Sequence, residues 1–318
     1  MKAWFGFCGL LLTLNVCATE GQSELDLLKT IAFAGHQTDY SGIFVYQYGN
    51  HVETSRIAHI VDANGEYEKL EGLDGPKREI IRHHGQVWCY SQHKMVQVES
   101  QQGKGKFPQL LPDQLSALIA NYRVKEIGTD RVAGYATQVM LFQPVDNLRY
   151  AQKIWVEMHT GLLLKSAVLN DRNQIVEQYA FSELKIGKDA DRAWVYSSDT
   201  KNLPGMGQPG SDKTATNVNS GWVVDALPSG FKKTMELVRP MHGNHAPVTQ
   251  LVFSDGLSAI SVFVEPIDAD EDDNEGLSSR GAVNLYHKVV DDHLYHVVGE
   301  VPPNTVIRVL NSIRYNGK

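Results

Sequence analysis

From residue 40 to residue 99 the chain repeats one pattern, and that pattern restricts the fold more than any other feature. Short runs of alternating apolar and polar residues are separated by Gly, Asn and Asp: Tyr40–Tyr48, Ser55–Val61, Glu66–Leu70, Lys77–His83, Gln86–Ser91 and Met95–Glu99. Alternation with period two places successive side chains on opposite faces, and turns this short can join only antiparallel neighbours. A later stretch, residues 152–170, repeats the device with a turn at Thr160-Gly161. Two helical patterns interrupt the strands. The first runs from an N-cap at Ser23, with Asp26 three residues on, to a stop at Gly35, and Leu25, Leu28, Ile31 and Ala32 form its apolar face. The second follows Pro112, with Leu115, Leu118, Ile119 and Tyr122 at i, i+3, i+4 and i+7. The expected architecture is α+β: one wide antiparallel sheet with two helices against one face.

Residues 199–221 read DTKNLPGMGQPGSDKTATNVNSG and keep no hydrophobic period. Such a tract cannot bury enough apolar surface to offset its ordering entropy, so it is expected to be a linker. Residues 222–318 are again β-rich. Hairpins are expected at residues 249–266, turning at Ser254-Asp255-Gly256, and at residues 282–301, turning near Asp291-Asp292. A last helix is expected from Asn304 to Tyr315, burying Val306, Val309, Leu310 and Ile313.

The N-terminus carries a targeting signal. Lys2 precedes a 13-residue apolar run, Trp4 to Val16. That is shorter than the roughly 20 residues of a membrane span but fits a secretory leader. Val16 and Ala18 occupy the positions before a cleavage site, so residues 1–18 are expected to be removed and residues 19–198 to form the large domain. The alternative is a lipoprotein signal acylated at Cys17, in which Asn15 and Val16 fit poorly. Cleavage leaves Cys89 alone, without an internal disulfide. Apolar residues make up 42% of the chain, enough for a core. A formal charge of −7 gives no general attraction to nucleic acid.

Catalytic patterns are missing. Gly256-Leu257-Ser258 begins like a nucleophile elbow, but Ile260 replaces its last glycine. The stretch 102–107, QGKGKF, lacks the spacing and hydroxyl of a phosphate loop, and Cys89 reads as a half-buried bystander. The pairs His83-His84, His242 with His245, and His293 with His296 lack a third ligand, so neither a metal nor another cofactor is expected. The acidic run 268–275 alternates like a calcium loop, yet Asp273 stands where glycine is needed and Ser279 where the bidentate glutamate belongs. A solvated hairpin tip and a weak calcium site are the two readings of it.

Aromatic residues crowd the expected strands of the large domain: Phe44, Tyr46, Trp88, Tyr90, Trp155 and Tyr179. They either pack beneath the helices or line an apolar cavity that two helices do not fill.

Four stretches, TDYSGIFVYQ (38–47), WVVDALPSGF (222–231), LVFSDGLSAISVFVE (251–265) and VVGEVPPNTV (297–306), resemble the RseB/MucB family, periplasmic negative regulators of the sigma-E envelope-stress response. The resemblance implies that the large domain is an unclosed antiparallel β-barrel like that of the LolA/LolB lipoprotein carriers, with helices on its concave side. Its hairpin 155–165 resembles the matching hairpin of those carriers. The resemblance also implies that the small domain binds the periplasmic part of an anti-sigma factor and shields it from site-one proteolysis, and that lipopolysaccharide or another acylated lipid favours release. A periplasmic lipid or lipoprotein carrier is the alternative function. Strand alternation suggests Phe44, Tyr46, Trp88, Tyr90 and Trp155, with Leu115 and Ile119 of the second helix, as lipid-lining residues. The expected partner surface is the exposed faces of the hairpin Leu251–Glu265 and of strands 283–301, with Leu251, Phe253, Ser261, Phe263, Tyr286 and His296 as contacts. Self-association into a homo-oligomer is compatible with the sequence.

Overall fold

The computed structural model describes residues 20–91, 94–98, 107–111, 115–196, 218–239, 247–267 and 275–317. The leader at 1–18, most of the linker at 199–221, Pro112 and all but Glu275 of the acidic run 268–275 lie outside the described residues.

The large domain opens with α1 (Glu20–Gln37) and continues through β1 (Tyr40–Tyr48), β2 (His51–Asp62), β3 (Gly65–Gly72), β4 (Arg78–His83), β5 (Gln86–Ser91) and β6 (Lys94–Val98). After α2 (Ser116–Asn121) come β7 (Tyr122–Val132), β8 (Tyr135–Pro144), β9 (Ala151–Glu157), β10 (Leu163–Leu169), β11 (Ile175–Ile186) and the short α3 (Arg192–Tyr196). All eleven strands form one antiparallel sheet in the order β6-β5-β4-β3-β2-β1-β11-β10-β9-β8-β7. The two meanders are joined through the β1–β11 pair, and β6 and β7 remain the outer edges, so the barrel is unclosed. The small domain contains β12 (Trp222–Val224), β13 (Lys232–Arg239), β14 (Val248–Ser254), β15 (Ala259–Pro266), β16 (Gly276–Arg280), β17 (Val283–Val290), β18 (His293–Gly299), α4 (Pro303–Leu310) and β19 (Ile313–Tyr315). Six of its strands form a sheet ordered β13-β14-β15-β18-β17-β16, and β12 pairs with β19.

The core of the large domain joins Leu28, Ile31 and Ala32 of α1 to Phe44, Ile57, Phe142, Ile154 and Phe181 of the sheet. Gly35 does not end α1, which runs to Gln37. The glycine is needed there for packing: an added Cβ would lie 2.7 Å from Gln109 Cγ, and Gln109 donates to the Gly35 carbonyl at 3.0 Å. Ser23 likewise lies inside the helix and not at its cap.

Helix α2 has six residues before the chain turns into β7 at Tyr122, too few for a four-residue stripe. Leu115, Leu118 and Tyr122 are buried, and Ile119 is 38% exposed. A third helix, not foreseen in the sequence, covers the opposite face of the sheet. There Val195 and Ala190 pack on Ala58 and Ile60, whose side chains alternate with Ile57 of the main core. In the small domain, Val306, Val309 and Leu310 of α4 pack on Leu251, Phe253, Ile260, Val262 and Val297. The helix stops at Leu310, not at Tyr315, because Ile313 leaves it to pair with Val224 in the β12–β19 ribbon.

A roofed cavity between two sheets

The end of the small sheet that carries the β14–β15 and β16–β17 turns rests on the large domain. At the first turn Asp255 accepts backbone N–H bonds from Leu257 and Ser258, at 3.0 and 2.8 Å, which fixes the loop. Leu257 then enters the core of the large domain. The second carboxylate oxygen of Asp255 accepts from Arg149 Nη1 at 2.6 Å and from the Tyr122 hydroxyl at 2.9 Å. Arg149 also bonds Asp146 and the Ser229 carbonyl, and its guanidinium lies 5.3 Å from the Phe231 ring centre. Burial alone would lower the Arg149 pKa, but Asp146 and Asp255 outweigh it and raise it.

At the second turn, Glu177 on β11 accepts from the Tyr46 hydroxyl at 3.1 Å and from the Ala282 backbone N–H at 3.0 Å. Burial and the Glu177 carboxylate push the Tyr46 hydroxyl far above its ordinary range, so it stays a donor. Arg280 reaches Glu53 at 3.1 Å and lies over the Tyr48 ring.

Between these anchors lies a cavity of 680 Å³. Its floor is the concave face of the large sheet, including Phe44, Tyr46, Leu70, Ile80, Val168 and Tyr179, closed at one side by Phe107 and Leu110. Its roof is the small-sheet face turned away from α4, including Met235, Val252, Ser261, Val283 and Val298. Arg78 and Arg82 line the floor together with Glu53 and Glu177, and Arg82 is paired with Glu68.

The segment 107–111 and the end of α1 are held beside this cavity by one carboxylate. Glu66 lies 3.1 Å from His36 Nδ1 and 2.8 Å from His59 Nε2, and it accepts from Gln109 Nε2 at 3.1 Å. The buried His59 ring faces the Thr38 carbonyl with its other nitrogen at 2.8 Å.

Of the seven residues suggested as lipid-lining, the cavity brings together Phe44 and Tyr46. Trp88 and Tyr90 point the other way. Their neighbour Cys89 lines the cavity, opposite Ile80, while Trp88 packs on Ile81 and Tyr90 lies under Lys77. Both faces of β5 are apolar, so alternation alone could not tell inward from outward. Trp155 lies between Lys153 and Lys165 and donates to Asp130 at 2.9 Å, away from the cavity. Leu115 belongs to the core, and Ile119 faces solvent.

The six suggested partner contacts divide in the same way. Leu251, Phe253 and Tyr286 are buried under α4. Ser261 lines the cavity, and Phe263, two residues along the same face, pairs with His296; both are half-buried. Burial lowers the His296 pKa, and the neighbouring His287 lowers it further. Sequence reasoning missed Arg149 altogether and treated Asp255 only as a turn residue. Among the described residues, no group of three His, Cys, Asp or Glu side chains is placed to hold a metal ion.

An open half-barrel roofed by a second, smaller sheet over an amphipathic cavity defines a two-domain binding protein. Its sequence matches the MucB/RseB N-terminal domain over residues 23–198 and the MucB/RseB C-terminal domain over residues 216–314. The chain belongs to the MucB/RseB family. It is 32% identical over 306 residues to the sigma factor AlgU regulatory protein MucB of Pseudomonas aeruginosa, covering 94% of this chain and 93% of that one. It is 24% identical over 291 residues to the sigma-E factor regulatory protein RseB of Salmonella typhimurium, covering 91% and 90%. Among solved structures, MucB in the Pseudomonas aeruginosa MucA/MucB complex superposes with a TM-score of 0.75 at 29% identity, covering 92% of this chain and 99% of that one. A crystal structure of MucB gives a TM-score of 0.64 at 27% identity, covering 92% and 98%.

Proposed function

We propose that this protein is a non-enzymatic periplasmic regulator that binds the periplasmic domain of an inner-membrane anti-sigma factor. It shields that partner from site-one proteolysis and releases it when lipopolysaccharide or another acylated lipid occupies the cavity. The observation that carries the reading is the likeness, along nearly the whole chain, to a MucB solved together with MucA. Residues 1–18 would direct export and be cleaved after Ala18, and residues 199–221 would link domains 19–198 and 222–318.

The exposed parts of the small-sheet face around Ser261, Phe263 and His296 are the proposed partner contact. The lipid would lie against Phe44 and Tyr46. Acyl chains gain about 0.8 kcal/mol per methylene removed from water, so the apolar floor and roof favour them. A lipid displaces the partner only through differential affinity for the free and bound forms.

The test is titration calorimetry of the mature protein against the periplasmic segment of the anti-sigma factor from the same organism, repeated with lipopolysaccharide present. Binding that weakens with lipopolysaccharide is expected. Failure of the segment to bind refutes the regulator. Unchanged affinity with lipopolysaccharide refutes the release step.

A further inference from the structure

Five apolar side chains of the small sheet, Leu237, Phe263, Leu285, Val289 and Leu294, are half-buried yet belong to none of the cores formed by the described residues. Strand alternation puts them on the face turned away from α4, which nearer the large domain carries Val252, Ser261 and Val298 of the roof. One rung beyond Ser261 and Val298, Phe263 stands opposite His296, and His296 opposite His287. The two imidazoles are half-buried, with ring centres 5.9 Å apart. Across the six strands this rung reads Leu237, Gln250, Phe263, His296, His287 and Gly276, so the histidines are its two titratable groups. Burial lowers the His296 pKa, the facing His287 lowers it further, and Glu265 on the next rung pulls it up. On the other side the His287 ring lies against Gly276, where an added Cβ would be 2.6 Å from Cε1. The adjoining Glu275 is engaged by Lys288 at 3.3 Å and by the Tyr286 hydroxyl, and His293 stands on the opposite face against Trp222. Neutral imidazoles accept an apolar cover, whereas two imidazolium ions this close repel each other and hold on to their water.

We infer that this face holds an uncharged, apolar stretch of the anti-sigma factor while both rings are neutral, and that protonation of the His287–His296 pair in a mildly acidic medium releases it. The inference rests on the partner-binding half of the proposed function. A face whose central rung has no ion fits a segment without charge, because a charged one would lose its hydration and gain no counterion. Partner and protons then compete for one surface, so by linkage the bound segment must oppose proton uptake by both rings.

Titration calorimetry of the full mature chain against the periplasmic segment of the anti-sigma factor, at about pH 7.5 and about pH 5.5, tests this, with circular dichroism to verify folding at both. Wild-type affinity is expected to fall by about tenfold or more at the lower pH. The double variant His287→Gln, His296→Gln is expected to bind equally at the two pH values. His287→Lys, which carries a fixed charge, is expected to bind weakly at both. Should the double variant not fold, proton NMR of the two rings in the wild-type protein gives their titration midpoints, which the bound segment is expected to lower. Equal wild-type affinity at the two pH values overturns the inference and leaves the regulator standing. So does a pH dependence that persists in the double variant, or ring midpoints that the segment does not move. Absence of binding at both pH values overturns this inference together with the regulator.

Discussion

Arg149 and Asp255 form an ion pair of 2.6 Å across the domain boundary, and neither side chain has any solvent exposure. Removing one partner of such a pair leaves a buried charge without its counterion, which costs about 3–5 kcal/mol. Arg149 keeps Asp146, so Asp255→Asn should fall at the low end, near 3 kcal/mol. Urea unfolding of wild type and Asp255→Asn measures it. Replacing both residues by Met and Leu should cost less than the sum of the single changes, and a strictly additive double variant would show that the pair is not coupled.

Gly230 presses against the large domain beside this pair. Its φ of +82° is a conformation that side chains rarely adopt, and an added Cβ would lie 2.0 Å from Asn121 Nδ2. Gly230→Ala should therefore destabilise by about 1–3 kcal/mol, against the usual gain from Gly→Ala at an unstrained site. Thermal unfolding decides the sign. Asn121→Ala in the Gly230→Ala background removes the obstacle and should recover part of the loss.

Most strands were legible because one apolar and one polar face give period two, and β5 is found at its expected bounds, Gln86–Ser91. The direction of a face is a different matter. Trp88 was assigned inward from strand alternation, yet Cys89 is the cavity residue. The ends of α1 and α4 were misplaced for a related reason: what Gly35 and Ile313 do is set by Gln109 and Val224, far away in sequence. The Arg149–Asp255 pair left no local signal, since its members are 106 residues apart.

Trp88 separates stability from ligand binding. It is 1% exposed and packs with Ile81 on the face away from the cavity. Trp88→Ala should cost about 3–5 kcal/mol of folding stability. Affinity for a dansyl-labelled fatty acid, measured well below the melting temperature, should stay within a factor of two or so of wild type. Phe44→Ala removes a cavity-lining ring and should reduce both. A Trp88→Ala protein that is folded but no longer binds would mean that the ligand lies on the other face.

The Glu66 carboxylate ties four pieces of chain, through His36 of α1, His59 of β2, Gln109 of the segment 107–111 and its own strand β3. Burial would raise its pKa, but the bonds from His36 and His59 outweigh that and hold it well below the ordinary 4.5. A carboxylate whose pKa is depressed by folding stabilises the native state above its unfolded pKa, and that contribution is lost as pH falls through the folded value. Stability attributable to Glu66 should thus be fully present at neutral pH and begin to decline below about pH 5. The side chain is 42% exposed, so solvent screens part of the effect. Glu66→Gln should start from a lower urea midpoint at about pH 6 and lose less than wild type between about pH 5 and pH 3. Parallel midpoint curves for the two proteins would place the acid sensitivity elsewhere. The same variant weakens the hold on Gln109 and the end of α1, so hydrogen exchange should rise first at Phe107–Leu111 and His36, beside the cavity, and the distant β14–β15 hairpin should keep its protection.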